Sequence, residues 1–458
     1  MIRIYAFYVL LVFAIQGTAA GQTTPSTLTL KGAVEAALAR YPSLRVSEAQ
    51  ARSAASAIKL ARTAYLPSLD LVGGINRATR NNVLGLLLPS QVIAPISGPV
   101  LGTNNLGSAW GSTVGFLITW EPFDFGRRSA EVAVAEASQV RAQAGVNRTR
   151  LELATMAADA FLTVLAAEQT ALAAQAAVDR SVEFERITDA LVRAELRPGV
   201  ESTLAKSENA SAQAQLIRAR QAIAEAQANL TAFVGSDAGA PPDPGKLLSV
   251  APELAAPSPL ELNAIAVEQH AAIKESLARI HLLDREYFPR FSIQGTAYAR
   301  GTGALPDRRL LGGVNGLGPN IQNWGIGFTA EFPILSLPSV RARKNVEAAR
   351  TDAERSRYDQ ILRDLQGRRD AAVAAAKGAE EVAKVAPVAV EAASALVQQA
   401  KARYQSGLGT ALDVAEAQRR LAQAEIDQRL ARLSVWRAHL AYYAAQGDIA
   451  PWLAEASN

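Results

Sequence analysis

The residues best placed to do chemistry are carboxylates that follow two similar turns in the chain. Glu201 comes just after a turn at residues 196–199, and Asp413 and Glu416 come just after a turn at residues 407–409. If identical chains assemble around an axis, each carboxylate repeats as a ring, and such rings select cations. A helix cap is the alternative for Asp413, because Thr410 and Asp413 have the spacing of a capping box. The residues expected to shape the two turns are Pro198, Gly199, Gly407 and Gly409.

The composition argues against catalysis and against a bound cofactor. The chain has no cysteine, which excludes disulfides, zinc–thiolate sites and thiol nucleophiles. The three histidines are scattered over predicted helices without clustered carboxylates, so solvated or packed side chains are favoured over metal ligands. We find no nucleophile elbow and no phosphate-binding loop. The sequence therefore predicts that the protein is not an enzyme and binds no cofactor or metal. The histidines are His270, His281 and His439.

Each turn ends a long helical segment. Residues 127–195 and 339–406 contain 69 and 68 residues, and a helix of that length spans about 100 Å. In the second segment alanine occupies 18 positions, whereas leucine and isoleucine together occupy four. Ordinary coiled-coil seams use large residues, so these helices are expected to pack closely side by side, as in the wall of a cylinder. A shorter return helix is predicted after each turn, at residues 201–234 and 412–446.

Two segments that alternate with a period of two residues precede each long helix. Strands of about 10 residues with one apolar face are typical of a membrane β-barrel. A surface hairpin in a soluble sandwich is the alternative, because alternation in a single segment is a weak signal. Apolar positions on one face are Val114, Phe116, Ile118, Trp120, Phe291, Ile293, Trp324, Ile326 and Phe328. The prolines predicted to mark where the chain enters strands are Pro67, Pro122, Pro289 and Pro333.

Four strands cannot close a barrel in lipid. Open sheet edges do not occur in the hydrocarbon region, and the smallest bacterial barrels have eight strands. Closure therefore requires other copies, and three copies would give a 12-stranded barrel with a water-filled centre. The predicted fold is an α+β membrane protein with a two-fold repeat. It contributes four β-strands to a trimeric 12-stranded β-barrel that is continued by a long α-helical coiled-coil barrel.

The pattern of helix, two strands and helical hairpin occurs twice, which indicates a duplication. The start of the chain has Arg3, an apolar run over residues 4–15 and small residues around Ala20. These features predict a secretory signal peptide, with an uncleaved membrane helix as the alternative. The net charge is +4 without a basic block, which argues against nucleic acid as a partner. The predicted divisions are a signal peptide (1–20), a first repeat (28–234), a proline-rich linker (235–259), a second repeat (260–446) and a C-terminal tail (447–458).

Several motifs resemble those of the TolC-like outer-membrane efflux and secretion channels. The strand openings Tyr65-Leu66-Pro67 and Tyr287-Phe288-Pro289 are similar to theirs, as is the Trp-Glu-Pro-Phe-Asp-Phe-Gly run at residues 120–126. The most specific resemblance is the run Tyr-Gln-Ser-Gly-Leu-Gly-Thr-Ala-Leu-Asp-Val-Ala-Glu at residues 404–416, which looks like the family's periplasmic tip. Many members carry a lipidated N-terminal cysteine; this cysteine-free chain resembles the non-lipidated branch.

The resemblance implies a homotrimer in the outer membrane lipid, with a helical tunnel in the periplasm. It implies a passive exit duct for efflux or type I secretion, opened at its tip by a periplasmic adaptor (membrane fusion) protein and an inner-membrane RND or ABC transporter. Equivalent tip residues in the family form gate links, so Tyr404 and Arg197 are candidate partners of Glu201, Asp413 and Glu416.

Two alternatives stay open at this point. A periplasmic coiled-coil protein of structural or adaptor type, without a pore, is the rival to a channel, although it would not need the four strands. The apolar loop at residues 81–110 either folds over the extracellular mouth, contacts a partner, or is a flexible loop tip without a particular role. The exported substrate is not indicated by the residues.

Overall fold

The computed structural model describes residues 27–79, 106–235, 241–249, 254–305, 307, 309–332 and 334–457. The predicted signal peptide at residues 1–20, most of the loop at residues 81–110, and Pro333 lie outside the described residues. Parts of the predicted linker, residues 236–240 and 250–253, also lie outside them.

Two short helices lead into the first strand. Helix α1 spans Leu30–Arg40 and α2 spans Pro42–Thr63. The Thr29 hydroxyl caps α1 by accepting a hydrogen bond from the Gly32 backbone N–H at 3.1 Å. Helix α1 stops before Pro42 because a proline disfavours helical backbone at the residue that precedes it. The proline itself is well suited to the first turn of α2, where its missing N–H is not needed.

The described strands form one four-stranded antiparallel sheet in the order β1-β2-β3-β4. Strand β1 spans Ser68–Thr79, β2 Ser108–Phe123, β3 Arg290–Thr302 and β4 Ile321–Glu331. Both hairpins are thus joined through the β2–β3 pair, which brings the two halves of the chain together. Strand β2 begins six residues before Val114, the first apolar position of its alternating pattern, since Ser108–Gly111 pair with residues 76–79 of β1.

One face of the sheet is apolar and exposed. The cross-strand pairs Leu69–Ile118, Leu71–Phe116 and Ile293–Phe328 place these side chains on the same face. The opposite face is mostly polar or small, with Asp70, Thr113, Gln294 and Asn323 among its residues, although Leu117 also lies on it. The predicted alternation is therefore confirmed, and the sheet has the two-sided character of a lipid-facing wall around water.

The prolines near the strands fall into two groups. Pro67 and Pro289 directly precede β1 and β3, as predicted. The prediction for Pro122 was wrong, because this residue lies near the exit end of β2, within Ser108–Phe123. The β2–β3 register shifts between Trp120 and Phe123. A proline lacks the N–H needed for the ladder, so a bulge of this kind is where a sheet accommodates it.

The remaining helices form two hairpins and their supports. Helix α3 spans Arg127–Arg193 and α4 spans Gly199–Val234, while α5 spans Ala264–Arg285. Helix α6 spans Leu337–Gln405 and α7 spans Ala411–Gln446. The two long helices contain 67 and 69 residues, so each is about 100 Å long.

The helices pack as parallel columns. Along its half nearest the sheet, α3 contacts α2 and α5, for example through Arg141 and Glu275. Along its far half it contacts α4 and α7, for example through the Arg180–Glu425 pair, whose two hydrogen bonds measure 3.1 and 2.8 Å. Helix α6 contacts α5 near the sheet and α7 beyond it. The shorter helices thus complete columns beside the long ones.

The largest hydrophobic core lies midway along the helices. Phe161 and Leu165 of α3 pack there with Trp436 of α7. The core also includes Trp452, which is fully buried and whose ring centroid lies 6.3 Å from that of Trp436. Trp452 belongs to a further helix, α8 (Ala450–Ser457), in the segment described from sequence only as a tail.

Helix α3 is the one described helix that is long and apolar enough to cross a membrane by length and composition alone. Its middle residues, including Leu153, Phe161 and Leu165, lie in the central core rather than on a surface. Packing against neighbouring helices accounts for these buried residues, whereas 39% of the apolar window as a whole is buried.

Candidate functional site: the tip of the helical hairpins

The two hairpin turns lie at the end of the helices farthest from the sheet. In the first turn Glu195 has φ 58°, and Pro198 precedes the first residue of α4, Gly199. In the second, Gly407 has φ 79°. A residue in this left-handed region directly after a helix ends it, and glycine does so without strain. The local sequence therefore accounts for a sharp reversal at Gly407.

Arg197 joins the two turns to each other. One of its terminal nitrogens, Nη1, donates to the Gly409 carbonyl oxygen at 3.4 Å, and Nη2 donates to the Tyr404 carbonyl oxygen. Its guanidinium also lies over the Tyr404 ring, 4.6 Å from the ring centroid. The first turn is thus held to the second by two hydrogen bonds and a cation–π contact, an interaction that arginine makes well.

Tyr404 extends this link to the first residues of α4. Its hydroxyl donates to Glu201 Oε2 at 2.8 Å, and Glu201 Oε1 lies 3.8 Å from Arg197 Nη1. Burial raises the pKa of Tyr404, and the hydrogen bond to Glu201 raises it further. The phenol therefore stays protonated at neutral pH and remains a donor. We call Arg197, Glu201 and Tyr404 the tip latch.

A small apolar cluster supports the tip latch from the helix side. Tyr404 is 2% exposed, and the Phe184 ring meets its ring edge-to-face with centroids 5.7 Å apart. Ala205 of α4 and Val414 of α7 are fully buried in the same cluster. Because charge-assisted hydrogen bonds gain strength where water is excluded, this packing strengthens the contact between Tyr404 and Glu201.

Asp413 and Glu416 lie on α7 and make other contacts. The Asp413 backbone N–H donates to the Thr410 hydroxyl at 3.3 Å, and the Thr410 N–H donates to Asp413 Oδ2 at 2.9 Å. The capping box anticipated as the alternative is therefore present. Hydrogen bonds from the Thr410 backbone and hydroxyl lower the pKa of Asp413. Glu416 accepts a hydrogen bond from Arg420 at 2.8 Å. Neither carboxylate touches the tip latch.

A second polar contact near the tip was missed by the sequence reasoning. Ser202 of α4 donates a hydrogen bond to Asp189 of α3, and Lys206 Nζ lies 3.5 Å from the same carboxylate. The hydrogen bond from Ser202 lowers the pKa of Asp189, and Lys206 adds to the effect. Asp189 lies four residues before the last residue of α3 and Ser202 three residues after the first residue of α4, so pairing positions outward from the turn would have found them.

The histidines have separate surroundings. The His270 ring lies 5.9 Å from the ring of Tyr358, and His281 is exposed. His439 is fully buried, with Nε2 3.6 Å from Glu380 Oε1. Across the described ranges, no three histidine, aspartate or glutamate side chains are grouped so that they could hold a metal ion.

Comparison with known proteins adds to this geometry. The family description Outer membrane efflux protein matches residues 33–236 and 261–448. The structure is similar to the CmeC outer membrane channel of Campylobacter jejuni, with a TM-score of 0.75, 17% identity, and coverage of 94% of this chain and 89% of that one. A search of curated proteins found no match.

Two further solved structures have the same fold. The outer membrane protein VceC of Vibrio cholerae gives a TM-score of 0.71 at 18% identity, covering 91% of this chain and 96% of that one. The open state of the MtrE outer membrane channel of Neisseria gonorrhoeae gives a TM-score of 0.67 at 18% identity, covering 91% of this chain and 88% of that one.

Proposed function

The chain belongs to the outer membrane efflux protein family, and we propose that three copies form a passive exit duct of a tripartite efflux or type I secretion system. Its place is the outer membrane, with the helical tunnel in the periplasm, and its role is that of an efflux channel. The proposal concerns how copies assemble, how the duct is gated and which proteins it meets.

The observation that carries the proposal is the four-stranded sheet. Its order leaves β1 and β4 as edges, and its apolar face exposes Leu71, Phe116 and Ile326 by 68%, 54% and 74%. Unpaired strand edges are not tolerated in lipid. Pairing of β4 with β1 of the next copy removes every edge, and three copies then make a 12-stranded barrel with the polar face around water.

The tip latch supports a gate. Arg197 and Glu201 belong to the first hairpin, whereas Tyr404 belongs to the second. Widening the tunnel at its tip requires the hairpins to separate, and separation breaks the contacts of Tyr404 with both residues. In a trimer the latch occurs three times around the axis, so it stabilises the closed tip.

Four exposed apolar residues at the tip support docking of an adaptor. They are 53–74% exposed. Large apolar side chains that are exposed in a contiguous group usually mark interaction sites. They flank both turns, so a partner that covers them would also press on the tip latch. We assign this surface to a periplasmic adaptor protein. The four residues are Leu196, Val200, Leu408 and Leu412.

The energy for transport would come from an RND or ABC pump in the inner membrane, since the sequence has no nucleotide-binding loop.

The rival is a periplasmic coiled-coil protein that structures or adapts other components without forming a pore. Such a protein would use the hairpins but would have no use for an exposed apolar sheet. The sheet face therefore favours the duct.

Planar lipid bilayers test the proposal. Full-length protein added to one side should insert as trimers that dissociate on heating in detergent, and each insertion should produce a discrete step in current. Protein that stays monomeric and periplasmic on cell fractionation, and leaves the bilayer current unchanged, would favour the rival.

A further inference from the structure

The sequence around the end of the sheet farthest from the helices contains more arginines than carboxylates. The chain between Asp70 and Glu121 contains Arg77 and Arg80 but no acidic residue. The second hairpin carries three arginines beyond the middle of its strands, with Asp307 as the one acidic residue between Arg290 and Glu331. At the other end of the sheet, by contrast, Arg127 is paired with Glu121 at 3.2 Å. Among the described residues, Arg77, Arg300 and Arg309 lie toward the end of the sheet away from the helices, and Asp307 is the one carboxylate there. The three arginines are Arg300, Arg308 and Arg309.

Arg77 is held in a defined position at this end. It lies directly across from Trp110 in the β1–β2 register, and its guanidinium carbon is 5.4 Å from the centroid of the Trp110 ring. Its Nε donates to the Ser108 hydroxyl at 3.0 Å. Among the described residues no carboxylate lies within 4.0 Å of its nitrogens. Arg309, by comparison, is paired with Asp307 at 2.6 Å.

Arg77 also lies on the face of the sheet that meets lipid. It has the same parity along β1 as the exposed residues Leu69, Leu71 and Ile75. Eight residues separate it from Leu69, which is about 26 Å along a strand, or about 20 Å along the membrane normal at a tilt of about 40°. The apolar band of a bacterial barrel is about 25 Å tall. If Leu69 marks the periplasmic edge of this band, the Arg77 backbone lies about 5 Å below the outer edge. The long arginine side chain then extends its guanidinium to the headgroups.

We propose that Arg77, seated on Trp110, binds the phosphate of a lipid headgroup in the outer leaflet. Tryptophan is suited to the membrane interface, and a guanidinium fork can bind two phosphate oxygens at once. The Trp110 ring contacts the face of the guanidinium and Ser108 accepts a hydrogen bond from Nε, and the two terminal nitrogens form no hydrogen bond with the described residues. Position on the lipid face favours a lipid over a solute in the pore. The proposal needs the sheet to lie in the outer membrane but needs neither the adaptor nor the pump.

Binding of lipid A that carries two phosphates, measured on the full-length protein in detergent, tests the proposal. Arg77→Gln should weaken binding about fivefold or more, the effect expected for one basic residue near an anionic headgroup. Arg290→Gln is the matched control, because it removes an exposed arginine from the periplasmic end of the same sheet, and it should leave binding unchanged. Lipid A stripped of both phosphates should bind the unaltered protein as weakly as the intact lipid binds Arg77→Gln.

Three results would overturn the proposal. They are equal binding of the phosphate-free lipid, unchanged binding by Arg77→Gln, and full competition by inorganic phosphate at the concentration of the lipid, which would indicate a free-anion site. Arg77→Lys keeps the positive charge but loses the two-pronged guanidinium. Its affinity for lipid A should therefore fall between that of the unaltered protein and that of Arg77→Gln. If Arg77→Gln fails to assemble, the comparison of Arg77→Lys with unaltered protein decides, and equal affinity would then reject the phosphate fork.

Discussion

The hydroxyl of Tyr404 is the atom on which the tip latch depends most. Tyr404→Phe keeps the buried ring but removes the hydrogen bond to Glu201, and a bond to a charged group contributes about 1.5–3 kcal/mol. The variant should therefore open more often or conduct more current in planar bilayers. Tyr358→Phe is the matched control, because Tyr358 is on the same helix, far from the tip. Equal conductance of both variants and the unaltered protein would remove the gate role from Tyr404.

His439 should make stability depend on pH. Burial lowers its pKa, although Glu380 and Glu455 act in the opposite direction. In the unfolded chain the pKa of His439 has its ordinary value of about 6.5, so the unfolded chain binds a proton more readily than the folded protein. The contribution of neutral His439 to the free energy of unfolding is therefore fully present above about pH 6.5 and declines as the pH falls below it.

Thermal unfolding at pH 7.5 and 5.5 measures this effect. The unaltered protein should lose more stability on acidification than His439→Gln, while His281→Gln, which changes an exposed histidine, should behave like the unaltered protein. The same loss in all three proteins would show that His439 is not the group responsible.

The junction between sheet and helices depends on Arg128. This buried side chain bonds Asp124 at 2.8 Å and the Ala64 carbonyl at 3.1 Å, and it also donates to the Glu121 carbonyl. It thus fastens the end of α2, the end of β2 and the start of α3 together.

Removing the buried partner of a charge usually costs about 3–5 kcal/mol, so Arg128→Leu should lower the melting temperature markedly. Arg127→Leu is the control, since Arg127 is its neighbour and also forms ion pairs but remains partly exposed, at 22%, so its loss should cost less than the loss of the buried Arg128. A smaller loss for Arg128→Leu than for Arg127→Leu would contradict this account of the junction.

Sequence periodicity predicted the elements well because each signal is local. The alternation in β2 and β4 and the long helical segment at residues 127–195 follow from residues that are close together in the chain. The contacts of the tip latch did not follow from spacing, because Arg197 and Tyr404 are separated by 207 positions. Their partnership was expected only through the family resemblance. The burial of His439 and the helix at Ala450–Ser457 depend on packing between distant segments, which a single sequence does not reveal.

Assembly of three copies gives the carboxylates of α7 a further role to test. Asp413 caps its helix and Glu416 pairs with Arg420, yet both are exposed at the tip. Repeated around an axis, they would still favour cations. Asp413→Asn with Glu416→Gln should reduce the cation preference of single channels in planar bilayers. Glu391→Gln with Asp427→Asn, farther along α6 and α7, is a charge-matched control, and unchanged selectivity in the first variant would reject the ring.

A barrel shared between copies requires β4 of one copy to pair with β1 of the next. Because the chain has no cysteine, one can be placed on the polar face of β1 at Val72 and a second, in turn, at Asn323, Gly325, Gly327 and Thr329 of β4. At the correct register, a short bis-maleimide linker applied to outer membranes should produce covalent dimers and trimers on denaturing gels. Chains that remain monomeric at every register, in membranes where each cysteine reacts with a maleimide dye, would contradict a barrel shared between copies.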